Sequence, residues 1–548
     1  MNSTISRNKT AAILTISAFL ICAAAFQFGT TSGAADNNSA LAGKSVKLSA
    51  LKGFAAGTTV SVSPDTRLTK FQPGRELQLD GVMNGLRAEG IDAASAEPLS
   101  LATDDINGDG YPDLVTGYRS AGGGFLVVYY GNERAYSPSD EEILRGIREE
   151  TRFPMPFESA RVVRLGDAPE LLVTGDFDRD GRKDIVSATR GGSSVELTAS
   201  DRDTGFRGVE RIAVAGSITA IGAGQISAGD ANADLVVGVG GDAALLIFSS
   251  NESILTARPE IRPISGNADR IVFGDLDIAQ GEDIVAASGS RIFVLQGRGS
   301  GVDMIELPSN ARDIAVGAFI WDRDSRPEIA VVGDDDTTRV IANGRLDTRE
   351  FTVAEVFAKR RQLARIRNGE ITAPTAKVRK ADWRVAEEVA SNGTFINGAR
   401  ISTQPSDDLI VTGNGIDVVT RDKSAQRSAT RLSPTGETVA ILPMRLSVMG
   451  IPGMVLLQKG KIEPTIVMAA PQAAFVVDRA DDNAGATACT GAANDCSLRG
   501  AIIASNANGV GADTITFNAG VAPQLTVVSG GGAENAAATG DLDVNGSL

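Results

Sequence analysis

Residues 175–186 read Gly175-Asp176-Phe177-Asp178-Arg179-Asp180-Gly181-Arg182-Lys183-Asp184-Ile185-Val186, and the chain returns to this pattern repeatedly. A near copy runs Asp105-Ile106-Asn107-Gly108-Asp109-Gly110-Tyr111-Pro112-Asp113-Leu114-Val115, and a weaker one starts at Gly274. Each copy ends in an acid, followed by an apolar strand, turn residues and a second strand. With that frame fixed, degenerate copies emerge at Ala233–Val237, Pro327–Val331 and Asp407–Val411, and Gly450–Val455 keeps the turn without the acid. The last loop position falls at Asp113, Asp184, Asp234, Asp283, Glu328, Asp408 and Gly453, at intervals of 71, 50, 49, 45, 80 and 45 residues.

A period near 45 residues with several short strands per unit is the signature of a propeller blade. Apolar segments also precede the loops, as at Leu171–Thr174, Ile271–Phe273, Ile314–Val316 and Val439–Leu442. The spacing therefore predicts an all-β chain with a seven-bladed β-propeller over residues 101–470. A parallel β-helix fits less well, because its rungs take roughly 20–30 residues. The two long intervals carry insertions predicted to be helical, near 137–150 and 353–390. In the first, Ser137 is read as the cap, with Pro138 in the first turn. In the second, Val353–Arg367 places Val353, Val356, Phe357 and Leu363 roughly on one helical face.

Composition narrows the chemistry. Glycine, at 61 of 548 residues, exceeds the usual share of roughly 7%, as many tight turns require. There is no histidine, so Ser-His-Asp triads, Cys-His dyads, His-ligated zinc and imidazole acid–base catalysis are excluded. A net charge of -15 argues against a nucleic-acid partner, whose phosphates need the opposite sign.

Arg7 and Lys9 precede an apolar run from Ala11 to Phe26, with small residues at Ala25 and Ala34–Ala35. This order marks residues 1–35 as a secretory signal peptide of bacterial type, the alternative being a retained signal anchor. The run is short for a span, so no stable membrane segment is expected after removal. Cys22 follows bulky Ile21, which argues against lipidation. Residues 36–100 include β-type stretches such as Thr58–Val62. They either complete the last blade, closing the ring, or form a stalk.

The loops carry the candidate chemistry. Acids at positions 1, 3 and 5 converge as the chain curls, glycine at 6 allows the bend, a carbonyl at 7 turns inward, and the acid at 9 closes the shell. That oxygen-rich set suits calcium, Ca2+, better than magnesium. The fullest set is Asp176, Asp178, Asp180 and Asp184 with the carbonyl of Arg182; the second is Asp105, Asn107, Asp109 and Asp113 with the carbonyl of Tyr111. Asp275, Asp277 and Asp283 form a weaker third, since Ala279 holds position 5. Asp322, Asp324 and Glu328 are weaker still, because Ile320 replaces the first ligand, and the remaining loops read as turns without metal.

Bases cluster from Lys359 to Arg384. Lys359, Arg360, Arg361, Arg365 and Arg367 form either an anionic-ligand patch, for acidic glycan or lipopolysaccharide, or a solvated helical face. Cys489 and Cys496 are left as a pair once the leader is set aside. In an exported protein they read as a disulfide closing a short loop, and otherwise as a reduced pair without a role.

The Asp-x-Asp-x-Asp-Gly loops over residues 100–470 resemble the FG-GAP/VCBS repeat family, as in the integrin α-subunit head. The resemblance implies an exported, calcium-stabilised propeller used for binding or adhesion. Farther on, Cys496-Ser497-Leu498-Arg499-Gly500-Ala501-Ile502 followed by Gly511-Ala512-Asp513-Thr514-Ile515-Thr516-Phe517 resembles the CSLREA domain, with Gly500 where that family has glutamate. That resemblance implies that residues 471–548 begin a right-handed parallel β-helix. Ser497 is expected to cap a helix, Thr514–Phe517 to be the first strand, and Asp541–Val544 to begin the next rung. One or two rungs cannot bury a solenoid core, so the tail reads as cut short.

The function expected is an exported, non-catalytic, calcium-binding surface or extracellular binding or adhesion protein whose partner is an extracellular protein or glycan. A calcium-dependent polysaccharide lyase or glycosidase using carboxylates or Arg/Lys is the enzymatic alternative, and a purely structural surface spacer the third.

Overall fold

The computed structural model describes residues 45–47, 70–71, 74–148, 154–226, 232–241, 243–276, 281–297, 299, 301–323, 326–372, 381–402, 404–421, 425–448, 452–470, 474–490, 492–508, 514–526 and 542. The leader, Thr58–Val62, Asp277, Asp324 and the Asp541–Val544 rung are expectations that lie outside the described residues, apart from Leu542.

The repeat builds seven antiparallel blades. Their second strands are Asp113–Ser120, Asp184–Ala188, Asp234–Gly240, Asp283–Ser288, Glu328–Gly333, Asp408–Thr412 and Gly453–Gln458. Every anchor residue of the sequence pattern opens one of them. These strands are continuous apolar runs rather than alternating ones, as expected of sheets covered on both faces. The residue after each anchor turns to the preceding seam and the next residue to the following one. Leu114, for example, lies in the seam between blades 7 and 1, and Val115 in that between blades 1 and 2. A buried apolar cluster fills each of the seven seams.

The first strands, Glu97–Asp104, Leu171–Gly175, Ser217–Gly224, Arg270–Gly274, Ala311–Gly317, Phe395–Ala399 and Thr438–Met444, each touch the next, and the last touches the first. Blade 7 has only three strands from its own stretch of sequence. Its fourth is Arg75–Glu76, with Arg75 opposite Ile466 and Glu76 opposite Thr465. Beside it, Lys70–Phe71 pairs with Ala469–Ala470, and Lys461 meets Glu76 at 2.8 Å. Leu77 and the helix Asp80–Ala88, through Val82 and Leu86, then enter the seam between blades 7 and 1. The helix lies so close to the outer strand of blade 1 that a Cβ on Gly85 would fall 2.7 Å from Val162. Blade 4 gains a fifth strand, Ser45–Lys47, parallel to Val302–Glu306.

Both insertions fall between the third and outermost strands of their blades. In the first, Ser137 ends the short helix Glu133–Tyr136 and does not cap the next one. Asp140 caps Glu141–Arg148, its carboxylate accepting from the amides of Glu142 and Ile143 at 2.8 and 3.3 Å. Ser137 is taken up at the end of the preceding helix, and the Asp140 carboxylate, next to the following one, accepts two orphan amides and complements its dipole. The second insertion holds the helix Val353–Arg367, which has no buried residue; Phe357 and Leu363, expected on a packed face, are 53% and 54% exposed.

In the tail, Ala474–Val477 and Thr514–Phe517 pair in parallel around the helix Leu498–Asn508. Ser497 Oγ accepts from the Gly500 amide at 2.9 Å, and Cys489 and Cys496 are disulfide-bonded. The fully buried Arg499 is matched by Asp482 at 2.6 Å. Glycine stands at 500 because a Cβ there would collide with the carbonyl of Ala486.

The seam closed by the N-terminal segment gives a direct test. Leu77→Ala deletes a fully buried side chain from it and should lower stability by about 2–5 kcal/mol in denaturant titration. Leu525→Ala, in an exposed stretch of the tail, should change it by less than about 0.5 kcal/mol.

Candidate metal centre

In six of the seven blades the acid that ends the loop is buried and acts first as a backbone staple. In blade 1, one oxygen of Asp113 accepts from the amides of Ile106 and Asn107, and the other from Gly131 at the end of the third strand, at 2.8 Å. Asp184 repeats this with Phe177, Asp178 and Ser200, and Asp283 with Leu276 and Gly297. Asp234 takes Ser250, Asp408 takes Ile401 and Ser402, and Glu328 takes Ile320. The staple therefore persists in loops that have lost the other ligand positions. Burial pushes the Asp113 and Asp184 carboxyls up to about 7 despite the amides that oppose the shift; nearby Asp109 and Asp178 add to it.

In blade 2 the loop between first and second strands draws Asp176, Asp178 and Asp184 together, with one oxygen of each within 4.8 Å of the others. Among the described residues this is the one carboxylate cluster of that tightness. Asp176 is 4% exposed; Oδ2 accepts from the Gly181 amide at 3.0 Å, while Oδ1 is buried without a hydrogen-bond partner. A buried carboxylate oxygen with no donor is costly, and a cation is the natural complement. Gly181 adopts φ +85°, the left-handed turn expected at position 6, and Arg179 at position 4 is left-handed as well.

Asp180, the fourth acid predicted for this loop, is not in the cluster. One oxygen accepts from the Arg182 amide, and the other lies 2.5 Å from Arg207 Nη2, which also meets Asp178 at 2.5 Å. Arg207 belongs to the outer strand Gly205–Ala213 and supplies a built-in cation beside the loop. No spacing rule marked it, because it stands outside the repeat motif. Asp178 is raised by burial and by Asp180, with Arg207 opposing.

Loop 1 is looser. Asp105 accepts from the amides of Asp109 and Gly110, the Asn107 amide group donates to Asp109 at 2.7 Å, and Asp109 accepts from Tyr111 N. Its acids satisfy one another's backbone and do not gather as in loop 2. In blade 4, Asp283 serves as the staple, with Asp275 at the start of the loop. In blade 5, Arg326 lies 3.9 Å from Asp322 and donates to the Asn343 carbonyl at 2.6 Å, so a guanidinium stands near the loop's acids. Lys359, Arg360, Arg361, Arg365 and Arg367 are exposed on the helix Val353–Arg367, with Arg365 paired to Glu370 at 3.3 Å.

Two measurements test these assignments. Arg207→Ala removes the competing guanidinium and should tighten calcium binding by about threefold to tenfold in calorimetric titration. Unchanged affinity would remove Arg207 from the site. Glu328 tests the staple alone. Burial raises its carboxyl from 4.5 to about 8, so between those values the folded chain holds more protons than the unfolded one, and stability falls as pH rises through the window. Glu328→Gln keeps an acceptor for Ile320 and should flatten that part of the pH–stability curve.

No curated protein matches the chain. Among solved structures, BBS1N in its complex with ARL6DN is 13% identical over 70% of this chain and 95% of that one, with a TM-score of 0.43. The Pan2 WD40 domain of Neurospora crassa is 11% identical over 69% and 90%, with a TM-score of 0.37. The Chaetomium thermophilum Nup170 N-terminal domain, in its complex with Nup53, is 9% identical over 76% and 64%, with a TM-score of 0.40. The family model for the FG-GAP repeat matches residues 98–133, the span that holds loop 1 and the first three strands of blade 1, so an FG-GAP repeat sits in a seven-bladed propeller.

Proposed function

We propose that this chain is an exported, calcium-binding, non-catalytic binding or adhesion protein of the cell surface or extracellular space. Its ion is held in blade 2 by Asp176, Asp178 and Asp184, with Asp180 joining when Arg207 is displaced. Loop 1 is the secondary site. The observation that carries the reading is the buried, donorless Oδ1 of Asp176 facing two further carboxylates. An FG-GAP-bearing propeller fits the binding or adhesion kind of protein, and such repeats together with a disulfide are typical of extracellular proteins. Among the described residues no helix is long and apolar enough to cross a membrane. The absence of histidine supports a non-catalytic role. The partner is an extracellular protein or glycan, and the tail opens a parallel β-helix of CSLREA type.

Calcium binds native loops that the unfolded chain lacks, which stabilises the fold by about 2.7 kcal/mol per site at a hundredfold excess over Kd. Melting should therefore fall in chelator and recover with calcium. Asp176→Asn should abolish most of that response, whereas the same change at Asp408, in a loop without the other ligands, should leave it intact. A melting temperature unmoved by verified calcium removal would defeat the reading.

A further inference from the structure

We propose that the cleft between the calcium loops of blades 1 and 2 binds the carboxylate of an acidic saccharide. Two adjoining cavities, of about 250 and 490 Å³, share Gly108, Arg182 and Arg202 in their walls. The larger falls in the range of roughly 300–1,000 Å³ typical of small-ligand sites. Arg182 bridges the two loops, its Nη2 donating to the Asn107 carbonyl at 2.8 Å.

The charges lining the cleft are unequally satisfied. The acids are engaged: Asp105 by the amides of Asp109 and Gly110, Asp180 by Arg207, and Asp201 by the amides of Asp203 and Thr204 and the Thr204 hydroxyl. The cations are less so: Arg182 Nη2 donates to Asn107 while its Nε is buried without a partner, and among the described residues the side chains of Lys183 and Arg202 have no hydrogen bond or ion pair. Three bases with spare donors converge on one cleft in a chain of net charge -15. They lack an anion, and a carboxylate accepts from guanidinium with bidentate geometry.

The rest of the lining selects the kind of anion. Asn107 and Asp201 add polar groups to the lining, and Ile106 and Tyr130 are its larger apolar residues. A sugar acid presents an anion together with hydroxyl donors and little apolar surface. An acidic peptide side chain presents only its acceptor and an apolar stem. The larger cavity borders Asp105 and Asp180 of the two loops but not Asp176, Asp178 or Asp184, so binding is measured both without and with calcium.

The test is calorimetric titration of the full chain with a galacturonate trisaccharide, using maltotriose and a triglutamate peptide as comparison ligands. It is run on chelator-treated protein in calcium-free buffer, so that the sugar cannot bind through a shared ion, and repeated on calcium-loaded protein. Saturable galacturonate binding is expected in both states, weakened by added salt. Arg202→Ala combined with Lys183→Ala should weaken it by about tenfold or more without moving the melting temperature. No saturable binding in either state, equal binding of maltotriose, or indifference to the double substitution would overturn the proposal. Tighter binding of triglutamate would overturn the ligand class. Binding by calcium-loaded protein alone would overturn the independence from calcium.

Discussion

A carboxylate sealed from water must be given donors, a proton or a cation, and this propeller is organised around how six such carboxylates are answered. Each opens the second strand of its blade. In three of them, Asp113, Asp184 and Asp283, the oxygens are seen to reach both ways, one to the amides at the start of the preceding loop and one to the end of the third strand. Asp408 spends its second oxygen on the Ser402 hydroxyl instead. The contact fixes the loop against the sheet and sets which residue of the second strand turns to which seam. Blade 7 makes the point by exception. Gly453 holds the anchor position, and the space for a side chain is filled by Leu446 and the Val467 carbonyl. That blade is held instead by a borrowed outer strand and by the broad apolar cluster it shares with blade 1.

The calcium chemistry proposed for blade 2 would be an elaboration of this staple. Where positions 1, 3 and 5 also carry acids, as in blade 2, the loop closes over carboxylates of which one oxygen, Asp176 Oδ1, is left without a donor. Where they do not, as around Asp234 and Asp408, the amides and hydroxyls suffice. Blade 5 sets Arg326 near its acids, and blade 2 sets Arg207 beside its own. Local guanidinium charge thus accompanies these loops, and the proposed ion in blade 2 would meet a competitor already in place.

How far the sequence was readable follows from which features repeat. The seven anchors all begin strands, and the apolar segments ahead of the loops all became first strands, because a buried acid followed by β-branched residues is a local pattern. The double use of the ninth-position acid was legible in principle, since Asp234 and Asp408 survive where the other ligands do not; reading that acid only as a ligand hid its structural task. Arg207 left no trace because its partners lie in another part of the blade. The outer strand of blade 7 is two residues long, too short for any periodicity to mark, so the role of residues 36–100 stayed open between closure and a stalk. The exposed Phe357 and Leu363 show the opposite failure, a periodic pattern in a helix that buries none of its residues.

The borrowed strand sets an order of assembly. Glu76 and Lys461 are 385 positions apart, so the clasp cannot form until nearly the whole propeller has been made. Closing so long a loop from a disordered chain is entropically costly and slow. Blades 1 to 6 relieve that cost, because each seam needs only its neighbour and an arc can grow in sequence from blade 1. As the arc curves round, it carries the N-terminal segment to the site where blade 7 will appear. During synthesis, then, the first blade presents an uncovered seam and a waiting edge to its surroundings, and a chaperone that shields Leu77 and the helix Asp80–Ala88 until the last strands arrive would protect the stage of folding most exposed to misassociation.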